Sequence, residues 1–183
     1  MKTKKRWKIT GWGEVVVMLL LTLALSATAV QAAPLNFILQ TSPNMFSDAI
    51  DVRYDSASQT LTATGFAEHI DNGTDTPTPV VNGSFAITAQ ISNTGAVLSG
   101  NLTVTGEVPS LGISQGPLLV GNLTALGYGE AGSATEFQFD TTDGALFYSF
   151  GPVIRVILGQ SGFAGNFTED FSNGAIGVAG IGW

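Results

Sequence analysis

The chain has 183 residues, 44% hydrophobic and 11% charged, with 23 glycines, 7 prolines and no cysteine. That length and apolar fraction suit one folded domain behind a leader and exclude a disordered chain; the lack of cysteine excludes disulfides, thiolate metal sites and cysteine nucleophiles. A formal charge of −7 speaks against nucleic acid as a partner.

Residues 1–32 read as a secretory signal peptide. Lys2, Lys4, Lys5, Arg6 and Lys8 precede an uncharged apolar run from Val15 to Ala27. Val30-Gln31-Ala32 offers small residues at the cleavage positions, so Ala33 is the expected first mature residue. Val15 to Val30 is 16 residues, short of the roughly 20 that a spanning helix requires. No membrane span is therefore expected after cleavage. Thirteen of the 14 acids but only Arg53 and Arg155 among the bases fall after residue 32, a formal charge of −11. Such a surface repels phosphate backbones and anionic headgroups. Export without cysteine fits a bacterial envelope or extracellular protein that its core must stabilise.

Residues 33–183 are expected to form a single all-β domain. Arg53 lies between Asp51 and Asp55 on one strand face. Gln59 to Phe66 is threonine-rich, as strands often are. Thr76-Pro77-Thr78-Pro79 reads as a stiff linker. Phe85, Ile87, Ala89 and Ile91 alternate with Ala86, Thr88, Gln90 and Ser92, and Leu98, Leu102 and Val104 sit in a second polar–apolar alternation. Gly100 to Gly106 and Gly121 to Gly127 echo one another, as similar strands of one sheet would. Glu136-Phe137-Gln138-Phe139 alternates; Ala145 to Phe150 and Val153 to Leu158 are dense enough in apolar residues to be central strands. Asn72-Gly73, Asn82-Gly83, Asp143-Gly144 and Asn173-Gly174 suit tight hairpin turns, and Asn93-Thr94-Gly95 a three-residue loop. The fold expected is an antiparallel, jelly-roll-like β-sandwich, with an eight-stranded β-barrel as the alternative.

Two motifs resemble chemistry. Gly112-Ile113-Ser114-Gln115-Gly116 matches a nucleophile elbow, but the single histidine, His69, lies upstream and no helix is expected after Gly116. Gly127-Tyr128-Gly129-Glu130-Ala131-Gly132 matches a dinucleotide fingerprint, yet strand follows it, and Glu130 would repel a pyrophosphate. Arg155 lies within an apolar strand and calls for a partner, either an acid of this chain or a ligand anion. The carboxylates of Asp71, Asp75, Asp140 and Asp143 are candidate calcium ligands on two loops. Catalytic and cofactor-binding residues are not expected.

Asp51-Val52-Arg53-Tyr54-Asp55 followed by Gln59 to Gly65 resembles the opening of secreted bacterial proteins of the PEP-CTERM, exosortase-sorted type. Gly116 to Thr124, Glu136 to Phe139 and Gly162 to Phe171 share the likeness, which covers roughly residues 50 to 173. The resemblance implies export and association with exopolysaccharide at the cell surface. The terminal Pro-Glu-Pro, apolar helix and basic tail of that group are not found in Gly174 to Trp183. The combined expectation is a secreted, non-enzymatic protein of the cell surface or extracellular matrix with a structural or binding role, and exopolysaccharide or other envelope components as partners. The alternatives are a small outer-membrane β-barrel and a carboxylate-dependent enzyme acting on polysaccharide.

Overall fold

The computed structural model describes residues 33–183; the leader expected over residues 1–32 lies outside them. The described residues fall within one compact unit. Its strands are β1 (Asn44–Asp55), β2 (Thr60–Asp71), β3 (Thr78–Pro79), β4 (Val81–Ile91), β5 (Val97–Val108), β6 (Ile113–Tyr128), β7 (Thr135–Asp143), β8 (Val153–Gly159), β9 (Phe171–Ser172) and β10 (Gly177–Gly182). One short helix, α1 (Phe147–Phe150), separates β7 from β8.

The protein is all-β, and its sheet closes on itself. Hydrogen-bonded neighbours run β2-β4-β5-β6-β7-β8-β10-β1, and β1 also pairs with β2, which completes a ring of eight antiparallel strands. Met45 faces Ile181 of β10 on one side and Ile70 of β2 on the other. The jelly-roll-like sandwich is thus replaced by its eight-stranded alternative. The reason lies in β10: three of its six residues, Gly177, Gly180 and Gly182, carry no side chain to display an alternation. Its backbone nonetheless pairs with both β1 and β8. The two echoing segments prove to be neighbours, with Asn101 opposite Asn122.

Alternation along each strand sorts side chains to the two faces. Val52, Leu61, Ala63, Phe85, Ile87, Ile91, Leu102, Val104, Phe137, Phe139, Ile154, Val156 and Leu158 point inward and are buried. Thr64, Thr88, Asn101, Asn122, Thr124 and Asp140 point outward and are exposed. An eight-stranded barrel has an interior that side chains can fill, and here apolar ones do. Both ends are plugged. Beyond β8 and before β10, Phe163, Phe167 and Phe171 pack with Tyr54 and Tyr128, with ring centroids 5.0–5.9 Å apart. At the opposite end Leu146 and Phe150 are buried, and the Ala145 and Leu146 amides donate to the Pro117 and Leu118 carbonyls at 3.0 Å.

Three local expectations change. Ala145 to Phe150 is a turn and α1, not a strand; its apolar residues close the barrel end rather than span the sheet. Asn82-Gly83 lies inside β4, where Asn82 adopts φ 48° and the register slips, so it forms a bulge rather than a hairpin. Thr78 and Pro79 of the linker pair with the end of β2. A second bulge, with Ala49 at φ 50°, breaks the register of β1 between Ser47 and Ile50. Gly65 is needed opposite it, because a Cβ there would collide with the Asp48 carbonyl and the Ile50 side chain.

Candidate functional site

Residues 33–40 form a strap without ladder pairing that crosses the outside of β6, β7, β8 and β10 in turn. Gly127 of β6 leaves room for Leu35, where a Cβ would collide with its backbone nitrogen. Glu136 of β7, 8% exposed, accepts three backbone N–H bonds, from Leu35 (2.6 Å) and Asn36 (3.0 Å) on Oε2 and from Phe37 (2.7 Å) on Oε1. Arg155 of β8 lies over the Phe37 ring, 5.3 Å from its centroid. Leu39 sits against Gly180 and Gly182 of β10. The sequence shows Glu136 only as the polar member of an alternation, so this anchoring role was not readable from it.

Two depressions lie on the outer surface. One, of about 620 Å³, is lined by Arg53, Asp55, Ser58, Thr60, Thr62, Asp170 and Phe171, among others. Asp170 accepts from the Ser56 amide and hydroxyl, both at 2.7 Å, and these bonds hold its carboxyl below the ordinary aspartate range. Asp55 accepts from the Ser58 amide at 2.7 Å and hydroxyl at 2.9 Å. Tyr54, 2% exposed, donates its hydroxyl to the Ile91 carbonyl at 2.8 Å. Burial pushes its phenol above the usual value, with Asp170 and Asp55 adding to the shift. Arg53 pairs with Asp51 at 2.8 Å and is 71% exposed, as its flanking acids suggested. The groove therefore offers hydroxyls, carboxylates and one guanidinium beside an aromatic edge.

The second depression, of about 410 Å³, is lined by Tyr148, Ser149, Pro152, Val153, Arg155 and Trp183, among others. Arg155 forms no ion pair among the described residues, contrary to the acid partner expected for it; it packs on Phe37 instead.

The two candidate calcium segments lie on opposite sides of the ring. Asp71 ends β2 and Asp75 follows in an exposed loop, while Asp140 and Asp143 lie on β7, four strands away around the ring and so on the opposite side. Asp71 accepts from the Gly73 amide (2.8 Å) and Asp143 from the Gly144 amide (2.7 Å), a use of Asp that turns commonly make. Among the described residues no group of three or more histidines and acids could hold a metal ion. His69 stacks on Phe46 at 5.3 Å. Ser114 lies on β6 with no helix behind it, and the Gly127–Gly132 run leads from β6 through a loop into β7. Comparison with protein-family models, curated proteins and solved structures finds no match to this chain.

Proposed function

We propose that the chain is exported, cleaved after Ala32, and serves as a non-enzymatic barrel at the cell surface or in the extracellular matrix, in a structural or binding role. One observation carries this reading: the barrel interior is filled with apolar side chains, while many outward positions are threonine, asparagine, glutamine and acids, with Phe66, Leu98 and Val178 among the exposed apolar exceptions. Any partner must then be met on the outer face. A formal charge of −11 over residues 33–183 favours neutral or cationic partners there. The hydroxyl- and carboxylate-rich groove around Asp55 and Asp170 suits the hydroxyls of an exopolysaccharide or another envelope component. The likeness to exosortase-sorted proteins supports the location.

The outer-membrane alternative requires outward apolar residues in a band facing lipid. Thr62, Thr88, Asn101, Thr103, Asn122 and Thr124 interrupt any such band, although Phe66 on β2, Leu98 on β5 and Val178 on β10 are exposed. No helix among the described residues is long and apolar enough to cross a membrane, which bears on helices and not on a barrel. Fractionation of expressing cells tests the proposal, with N-terminal sequencing of the product. Recovery from medium or periplasm without detergent, beginning at Ala33, is the expected result. Recovery only with outer membranes, or in the cytoplasm with the leader intact, overturns it.

A further inference from the structure

Residues 33–183 contain two cationic side chains other than His69. Arg53 is neutralised by Asp51 at 2.8 Å. Arg155 makes no ion pair among the described residues, and its Nε is buried without a hydrogen-bond partner. The Phe37 ring of the strap covers the guanidinium at 5.3 Å. A guanidinium backed by a ring offers its edge to a planar acceptor, the fork geometry that carboxylates match in a bidentate way.

The surroundings of that edge narrow the choice of ligand. The depression beside Arg155 has a volume of about 410 Å³, within the range of clefts that hold a small molecule or one residue of a longer chain. Its rim carries Trp183, 46% exposed, and Tyr148, 96% exposed, with Ser149 and Pro152 between. Exposed indole and phenol rings next to an arginine supply flat contact area beside a charge. Two acids flank the site on β7. Glu136 is occupied by three strap amides, and Asp140 faces solvent opposite Val153. Asp140 and, in a protein ending at Trp183, the α-carboxylate of that residue oppose an incoming anion, so the binding is weak and salt-sensitive rather than tight.

We propose that the Arg155–Trp183 pocket is a binding site for a carboxylate carried on a six-membered ring. The carboxylate takes the guanidinium edge and the ring lies against both Trp183 and Tyr148, which line the pocket together. A hexuronate and a simple aromatic acid share this chemistry, and the experiment separates them. The site does not depend on export, so its failure would leave the preceding proposal standing.

Trp183 is the one tryptophan of residues 33–183 and lies in the pocket, so its fluorescence reports occupancy directly. Residues 33–183 contain the closed ring and its core, and so fold as a unit. The purified protein of that span is titrated with glucuronate, benzoate and glucose. Saturable change in the millimolar range with one or both acids, and none with glucose, is expected; the stronger acid identifies the ring class. Arg155→Gln should weaken binding about 10-fold or more, the cost of a charge-assisted pair. Tyr148→Ala, at a side chain almost wholly in solvent, keeps the test open if Arg155→Gln does not fold, and should weaken binding several-fold. Equal response to glucose, wild-type binding by either variant, or no saturable change with either acid at tens of millimolar overturns the proposal.

Discussion

Replacing Glu136 by glutamine perturbs one side chain and tests whether the strap is held as described. Glutamine keeps the shape but retains one acceptor oxygen and turns an amide N–H₂ toward backbone donors. Either Leu35 and Asn36, which share Oε2, or Phe37, on Oε1, then loses its acceptor. A part-buried donor left unpaired costs about 1–3 kcal/mol. The loss has a ceiling, because the strap can peel away and its amides can be hydrated. Only Phe37 and Leu39 of the strap are half-buried, and each contributes about half of the 1.5–3 kcal/mol of a fully buried side chain. The hydrogen bonds therefore decide the result as much as the apolar contacts. For a domain of this size each kcal/mol moves Tm by about 2–4 °C, so Glu136→Gln should lower it by about 2–12 °C. Hydrogen exchange gives the local readout: the amides of residues 35–37 should lose protection while those of β4 and β5 keep theirs. An unchanged Tm together with retained protection at residues 35–37 would refute the reasoning.

Other perturbations probe the barrel ends and its charges. Asn173, 6% exposed, accepts from the Val52 amide at 2.8 Å and donates to the Ile50 carbonyl at 3.1 Å, so it pins the segment before β10 to β1. Asn173→Ala strands both buried groups and should cost about 2–4 kcal/mol in urea unfolding; a cost under about 0.5 kcal/mol would show the bonds to be dispensable. Phe167, wholly buried between Tyr54 and Tyr128, should cost about 3–5 kcal/mol as Phe167→Ala, with near-ultraviolet circular dichroism lost at the aromatic end. Asp170 is held below its ordinary range by Ser56, so it contributes stability above about pH 4 that is lost as pH falls through its folded value. Ser56→Ala should flatten that acid limb, and an unchanged limb would remove Ser56 as its cause. Tyr54 is shifted upward by burial, so its contribution is complete below about pH 10 and is lost as pH rises through its folded value. Tyrosinate absorbance should show the Tyr54 phenol ionising late, as the difference between the protein and Tyr54→Phe, together with alkaline unfolding; a Tyr54 phenol titrating at the ordinary value would contradict the burial.

The sequence displayed what side-chain periodicity can display. Phe85, Ile87, Ala89 and Ile91 face inward as their alternation required, and Arg53 meets the flanking acid beside it. Periodicity does not carry long-range pairing. The β1–β10 ladder that turns a sheet into a ring joins residues about 130 apart in sequence, and β10 is half glycine. Local composition also misplaced Ala145 to Phe150, because an apolar run reads alike whether it spans a sheet or plugs its end. Arg155 was rightly marked as needing company, but an aromatic ring from the strap provides it. The grooves that Asp55, Asp170 and Trp183 line were not legible, because nothing in the neighbouring sequence reveals which distant elements their side chains meet.

The structure is a closed barrel with an apolar interior, and the proposed function requires it to stand in water. Nuclear magnetic resonance on residues 33–183 in detergent-free buffer tests it most directly. Cross-strand contacts between Phe46 and Gly180, and between Met45 and Ile181, are predicted alongside those joining β1 to β2. A well-dispersed β spectrum lacking every β1–β10 contact, or a polypeptide that yields a spectrum only in detergent, would contradict it.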